Sequence, residues 1–208
     1  MTRKITASLY MTLDGRGGFP KYLGSDRPGD PNANPPNDMW REFWFDRFDD
    51  VTTVIMGRRS FLGHRRVWSE KARKEGDPQY MWDYSRYLDQ VDKVCLSRHL
   101  KSTDWQNSRI MKGDLATIVA KLKREKGGNI IAEGGPRLIQ EFMRQRLADD
   151  YWMLMQPVVL GQGPQYWGRM KEQLTLKFLS SKVMQDGELL LHYETVRKKL
   201  TKKDLLGE

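Results

Sequence analysis

The 208 residues fit one domain and can bury a core without staples, and the single cysteine, Cys95, excludes an internal disulfide framework. A formal net charge of +9, from 36 Lys+Arg against 27 Asp+Glu, favours anionic ligands such as phosphates and, less specifically, nucleic acid. No apolar run is long enough for a membrane span, the opening MTRKITASLYMTLDG has no secretory apolar stretch, and His64, His99 and His192 are too scattered for a zinc site; the expectation is a soluble, cytoplasmic protein without a metal.

KITASLYMTL (4 to 13) is rich in β formers and stops at Asp14-Gly15, which predicts the first strand. The following GRGGFPKYLGSDRPGDPNANPPN, crowded with glycine and proline, is read as a long loop and candidate lid. Asn37 or Asp38 can cap a helix through MWREFWFDRF, in which Trp40, Phe43, Trp44 and Phe48 share a face. VTTVIMG (51 to 57) is a continuous apolar run expected to be a central strand, with Arg58 and Arg59 emerging at its carboxyl end.

Residues 62 to 90 are polar and aromatic, with short helical patterns around VWSEKARKE and QYMWDYSRYL. DKVCLSR (92 to 98) and RIMKG (109 to 113) read as strands, and Asp114 caps a helix LATIVAKLKREKGG with Leu115, Ile118, Val119 and Leu122 on one face. NIIAE is a strand and PRLIQEFMRQRLADD a helix with Pro136 in its first turn. YWMLMQPVVLG, LTLKFLSSKVM and ELLLHYETV read as three more strands, the last two joined as a hairpin at Gln185-Asp186-Gly187. Early strand–helix alternation followed by antiparallel strands predicts an α/β sheet. With no repeat, linker or boundary, residues 1–208 read as one domain with a basic tail from about 197.

Ligands of open α/β sheets collect beyond the carboxyl ends of the strands, and three segments suited to anions fall there: Gly57-Arg58-Arg59-Ser60, Ser97-Arg98, and Gly134-Gly135 before a helix. Singly, each is also explained as a solvated surface group or an ordinary turn. Together they fit one extended ligand, a dinucleotide with a diphosphate and a separate monoester, which is NADPH. The Rossmann fingerprint GxGxxG does not follow the first strand.

The order SLYMTLDG, VIMGRRSF, KVCLSR and NIIAEGGPRLIQEFMRQRLADDYWMLMQPVVLGQG resembles the dihydrofolate reductase-like superfamily. It most closely resembles the C-terminal reductase domain of the bifunctional riboflavin-biosynthesis deaminase-reductase and its stand-alone relatives, over about residues 3 to 196. The resemblance implies a central, mostly parallel eight-stranded sheet flanked by helices, with an antiparallel C-terminal hairpin. It also implies NADPH as cofactor, a homodimer, and hydride transfer to a pyrimidine- or pterin-like heterocycle, the family's typical substrate being 5-amino-6-(5-phosphoribosylamino)uracil. It assigns Gly57, Arg58, Arg59, Ser97 and Arg98 to the adenosine 2′-phosphate, and Gly134, Gly135, Pro136, Arg137 and Leu138 to the diphosphate. Leu9, Tyr10 and Met11 would lie by the nicotinamide, with Asp14-Gly15 opening the active-site loop.

The zinc-binding deaminase half of the bifunctional enzyme is missing from this sequence. The carboxylate that holds the pteridine in true dihydrofolate reductases corresponds by position to about Arg41, with Glu42 beside it and Asp38 a turn earlier, which argues against folate reduction. Asp14, Asp38 and Glu42 are the candidate proton donors, and Trp40 and Phe43 could stack a flat heterocycle; turn formation, helix capping and core packing are the competing explanations. Two further readings stay open. One is the same fold acting on another carbonyl or imine; the other is a non-catalytic NADPH- or nucleic-acid-binding module, prompted by the basic stretch 58 to 74.

Overall fold

The computed structural model describes residues 3–17, 50–168, 170–184 and 187–197. The proposed lid, the aromatic helix with Asp38, Trp40, Glu42 and Phe43, most of the hairpin turn and the tail beyond 197 lie outside the described residues.

Eight strands form one sheet in the order β4-β3-β2-β5-β1-β6-β8-β7. They are β1 (Ile5–Thr12), β2 (Val51–Gly57), β3 (Asp92–Leu96), β4 (Ser108–Met111), β5 (Asn129–Glu133), β6 (Asp150–Gln156), β7 (Leu176–Val183) and β8 (Leu189–Thr195). All pairings from β4 across to β6 are parallel, and β8 runs antiparallel to both β6 and β7. The expected sheet and C-terminal hairpin are both present.

Strand alternation divides the core into two layers. Ile5, Ala7, Leu9 and Met11 of β1 pack with Ile118, Val119 and Leu122 of α3 (Leu115–Arg124) and with Ile139, Phe142 and Met143 of α4 (Pro136–Arg144). On the other face, Met56, Ile131 and Leu154 meet Phe61 of α1 (Arg58–Trp68) and Tyr84 and Leu88 of α2 (Gln79–Gln90). Central strands buried on both sides need apolar residues at nearly every position, which VTTVIMG and NIIAE supply.

The Arg3 side chain closes the amino-terminal edge. Its guanidinium donates to the carbonyls of Gly128 (2.5 Å) and Leu122 (3.2 Å) and to the hydroxyls of Thr52 (3.0 Å) and Thr53 (2.6 Å). Arg3→Met would leave several of these acceptors unpaired in a buried place, at an expected cost of about 2–4 kcal/mol. That is a fall in melting temperature of roughly 10 °C for a chain of this size, measured by calorimetry.

Three expectations about element limits are corrected. The helix after β2 begins at once with Arg58 and ends at Trp68, and VWSEKARKE continues only as a single 3-10 turn, Glu70–Ala72. Tertiary contacts outcompete helical propensity there: the Glu70 amide donates to Asp89 (3.0 Å), Trp68 sits edge-on to Tyr84 at 5.0 Å, and Arg73 lies over the Trp68 ring at 5.6 Å. α4 stops at Arg144, because Arg146 takes a left-handed φ of 51° and turns the chain toward β6. β6 ends at Gln156, so PVVLG is not strand; Pro157 cannot continue the ladder as a donor.

Candidate active site

The connections set the location. From β2 the chain leaves through α1 and α2 to β3 on one side, and from β5 it leaves through α4 to β6 on the other. β2 and β5 are neighbours, so the sheet's switch point lies between their carboxyl ends, where a ligand-binding crevice is expected. α1 and α4 start there on opposite faces, and the Gly135 amide donates to the Ser60 hydroxyl across the gap (3.3 Å).

Both helix starts are suited to an anion. Neither has a side-chain cap or an acidic residue in its first turn, unlike α3, where Asp114 accepts from the Thr117 amide (3.0 Å). Arg58, Arg59 and Arg137 stand exposed in those first turns. Gly57 is paired with Leu96, so Arg58 and Ser97 emerge side by side from adjacent strands. The Ser97 oxygen accepts from the amides of His99 (3.2 Å) and Leu100 (2.9 Å), leaving its hydroxyl hydrogen to donate, and Arg98 is exposed beside it. Arg58, Arg59, Arg98 and Arg137 have no ion-pair partner among the described residues, whereas Arg65 pairs with Asp104, and Arg109 with Glu125.

The two glycines differ. A Cβ on Gly134 would be squeezed at 3.3 Å between Ser60 Oγ and Leu138, so this glycine permits the two helix starts to meet. A Cβ on Gly135 would meet nothing within 4 Å, and its φ of −70° suits any residue. It therefore leaves the start of α4 open to approach from outside.

The end of β1 forms the neighbouring wall. β5 pairs with β1 only as far as Ser8, and β1 runs four residues farther beside β6, to Thr12. Leu9 and Met11 turn into the core under α4, which leaves only their backbone at the strand's edge; the Tyr10 side chain faces the α1–α2 side, where its hydroxyl donates to Glu188 (3.3 Å).

Asp14 is fully engaged. Its carboxylate accepts from Thr12 Oγ1 (2.6 Å), Arg16 Nε (2.7 Å) and the amides of Leu160 (3.2 Å) and Gly161 (2.9 Å). The Thr12 hydroxyl first, then these amides and Arg16, hold its pKa well below the usual carboxylate range. It thereby ties the end of β1 to the loop after β6. Gly17 lies over Pro136, where a Cβ would come within 2.4 Å of the ring, so the chain leaving β1 passes directly above the start of α4.

One group was not singled out from sequence. Glu133 ends β5 immediately before the glycine pair, is buried, and points to the α1–α2 face. It accepts from the Tyr84 hydroxyl (3.4 Å) and pairs with His64 Nε2 (3.2 Å), whose Nδ1 lies 2.9 Å from the Ser60 carbonyl. Burial alone would lower the His64 pKa, but the charge and hydrogen bond of Glu133, with the Ser60 carbonyl, outweigh it and raise the pKa above its ordinary value. The signal was an acid closing an otherwise apolar strand.

A family model described as the RibD C-terminal domain matches residues 3–190. The chain is 26% identical over 191 residues to the uncharacterized protein YyaP of Bacillus subtilis (strain 168), covering 92% of this chain and 94% of that one. Among solved structures, one from Shewanella sp. PV-4, described provisionally as a riboflavin biosynthesis protein, superposes with a TM-score of 0.68 at 18% identity, covering 95% of this chain and all of the other. A dihydrofolate reductase from Enterococcus faecalis complexed with NADP(H) does so at 0.57 with 14% identity, covering 92% and 96%. At these identities the two structures establish the shared fold.

Proposed function

The chain belongs to the RibD C-terminal domain family, and on that premise we propose that it is an NADPH-dependent reductase of a pyrimidine- or pterin-like heterocycle, of the 5-amino-6-(5-phosphoribosylamino)uracil reductase type. The observation that carries this reading is the pair of uncapped helix starts meeting at the switch point with Arg58, Arg59, Arg98 and Arg137 unpaired around them among the described residues. The diphosphate is assigned to Gly134, Gly135, Pro136, Arg137 and Leu138, and the 2′-phosphate to Gly57, Arg58, Arg59, Ser97 and Arg98, since planar guanidinium groups suit a phosphate monoester. The nicotinamide is assigned to the backbone of Leu9–Met11 where β1 outruns β5.

When bound, NADPH would supply the hydride; the chain's own work is to hold and orient two flat partners and to handle one proton. For the proton, Glu133 with His64 is the better placed group. Asp14, held ionised by four donors, serves as the anchor of the loops beside the crevice, while Asp38 and Glu42, with Trp40 and Phe43 as stacking groups, remain part of the proposal outside the described residues. The basic stretch supports a nucleic-acid surface poorly, because Arg65 pairs with Asp104 and Arg73 packs over Trp68. No helix among the described residues is long and apolar enough to cross a membrane, and a cytoplasmic location is proposed with the reductase reading.

The test is titration with NADPH and NADH, followed by energy transfer from the seven tryptophans, and then by loss of reduced-nicotinamide absorbance on adding 5-amino-6-(5-phosphoribosylamino)uracil. Selective NADPH binding with turnover supports the reading, and binding of neither dinucleotide rejects it. Gly135→Ala is expected to leave stability unchanged within about 0.5 kcal/mol yet weaken NADPH roughly tenfold, as a methyl group would stand where a phosphate must approach.

A homodimer is part of the same proposal. β7 is an edge strand with Phe178, Leu179 and Val183 all exposed, an edge that soluble proteins usually cover. Sedimentation should find a dimer that Phe178→Asp dissociates; a wild-type monomer would reject it.

A further inference from the structure

Gln156 is the last residue of β6 and is completely buried, yet neither its carboxamide oxygen nor its nitrogen has a hydrogen-bond partner among the described residues. Folded proteins rarely leave both ends of a buried amide unmade, because the group was desolvated without compensation. Leucine or methionine would fill the same space without that cost.

Its position fixes the face of the sheet on which the unmade bonds lie. Alternation along β6 puts Met153 and Met155 toward α4 and Leu154 and Gln156 on the opposite face, which is also the face of Tyr10 and Glu133. Gln156 is the register partner of Thr12 and sits across the ladder from Glu188, one step beyond the Met155–Leu189 pair. Thr12 cannot donate to its oxygen, because the hydroxyl hydrogen goes to Asp14 (2.6 Å), and the hydroxyl oxygen already accepts from the Arg16 amide (3.2 Å). Gln156 thus lies at the end of β6, beside the stretch where β1 outruns β5.

A primary carboxamide presents one acceptor beside one donor, and its complement is another amide with carbonyl and N–H on the same side. We propose that Gln156 is a specificity-determining residue that reads such a cis-amide edge of the bound ligand through a pair of parallel hydrogen bonds. This rests on the reductase reading, in which two groups offer that edge: the carboxamide of the nicotinamide and the lactam edge of a pyrimidine or pterin. Either orientation of the Gln156 amide completes the pair.

The experiment compares the wild type with Gln156→Leu and Gln156→Met for binding of NADPH, of 2′-phospho-ADP-ribose, which keeps the phosphates but lacks nicotinamide, and of 5,6-diaminouracil. A site built to pair an amide loses affinity by roughly tenfold to a hundredfold when the pair is removed. Loss of NADPH affinity with 2′-phospho-ADP-ribose unchanged supports the nicotinamide as the partner; loss confined to 5,6-diaminouracil supports the substrate lactam. Unchanged affinities in both variants overturn the inference while leaving the reductase reading intact. Failure of the wild type to bind NADPH overturns both. Without ligand, both variants should melt at or above the wild-type temperature; a clear fall in both would show an internal partner for the amide and also overturn the inference.

Discussion

Converting Arg58 and Arg98 together to alanine is expected to weaken NADPH binding about a hundredfold while changing NADH binding less than threefold, which titration of both dinucleotides will measure. The two guanidinium groups leave adjacent strands at the Gly57–Leu96 pair and have no acid to neutralise them among the described residues. A hydrogen bond to a charged group contributes about 1.5–3 kcal/mol, and solvent exposure places both at the lower end. Two such losses come to about 3 kcal/mol, or two orders of magnitude in affinity. Salt should erode the wild-type preference, since exposed charges are screened over roughly 8 Å at physiological ionic strength. Equal weakening of both dinucleotides would move the arginines from the 2′-phosphate to the diphosphate, and no weakening would remove them from the site.

How far the fold was legible depends on how each segment is buried. VTTVIMG and NIIAE lie between two helical layers, so their apolar runs betray them; KITASLYMTL carries both the alternation and the terminating Asp-Gly. α1 was obscured because only Phe61 of its eleven residues is buried, Gly63 interrupts it, and no side chain caps it. The missing cap that hid the helix is the same feature that frees its amides for an anion. The glycine pair and the basic turns could be picked out as suited to an anion because their chemistry is local. Glu133 left only the trace of an acid closing its strand, and His64 and Gln156 left none, because their meaning depends on strand order: Glu133 matters only because β5 ends where β1 continues, and Gln156 only because its neighbour Thr12 already gives its proton to Asp14.

Glu133→Gln should then separate binding from turnover. Glutamine keeps the shape and an oxygen for the Tyr84 hydroxyl (3.4 Å), so the fold and the NADPH dissociation constant should hold within twofold. The proton-handling capacity is lost, and positioned acid–base groups contribute on the order of 10²–10⁴ in rate, so kcat should fall at least a hundredfold. His64 adds a pH signature. Its pKa is raised in the folded protein, because the pairing with Glu133 outweighs burial, so the charged pair is complete below the ordinary histidine value of 6.5 and is lost as pH rises through the raised value. The stabilisation from the pair follows the same course: full at acidic pH and fading on the alkaline side. Wild-type kcat should decline over that alkaline interval if the imidazolium supplies the proton, and His64→Gln should flatten the decline while leaving NADPH affinity unchanged. A Glu133→Gln enzyme turning over within threefold of wild type would make the Tyr84–Glu133–His64 cluster a support for α1 and α2 instead, and would return the proton to Asp38 or Glu42.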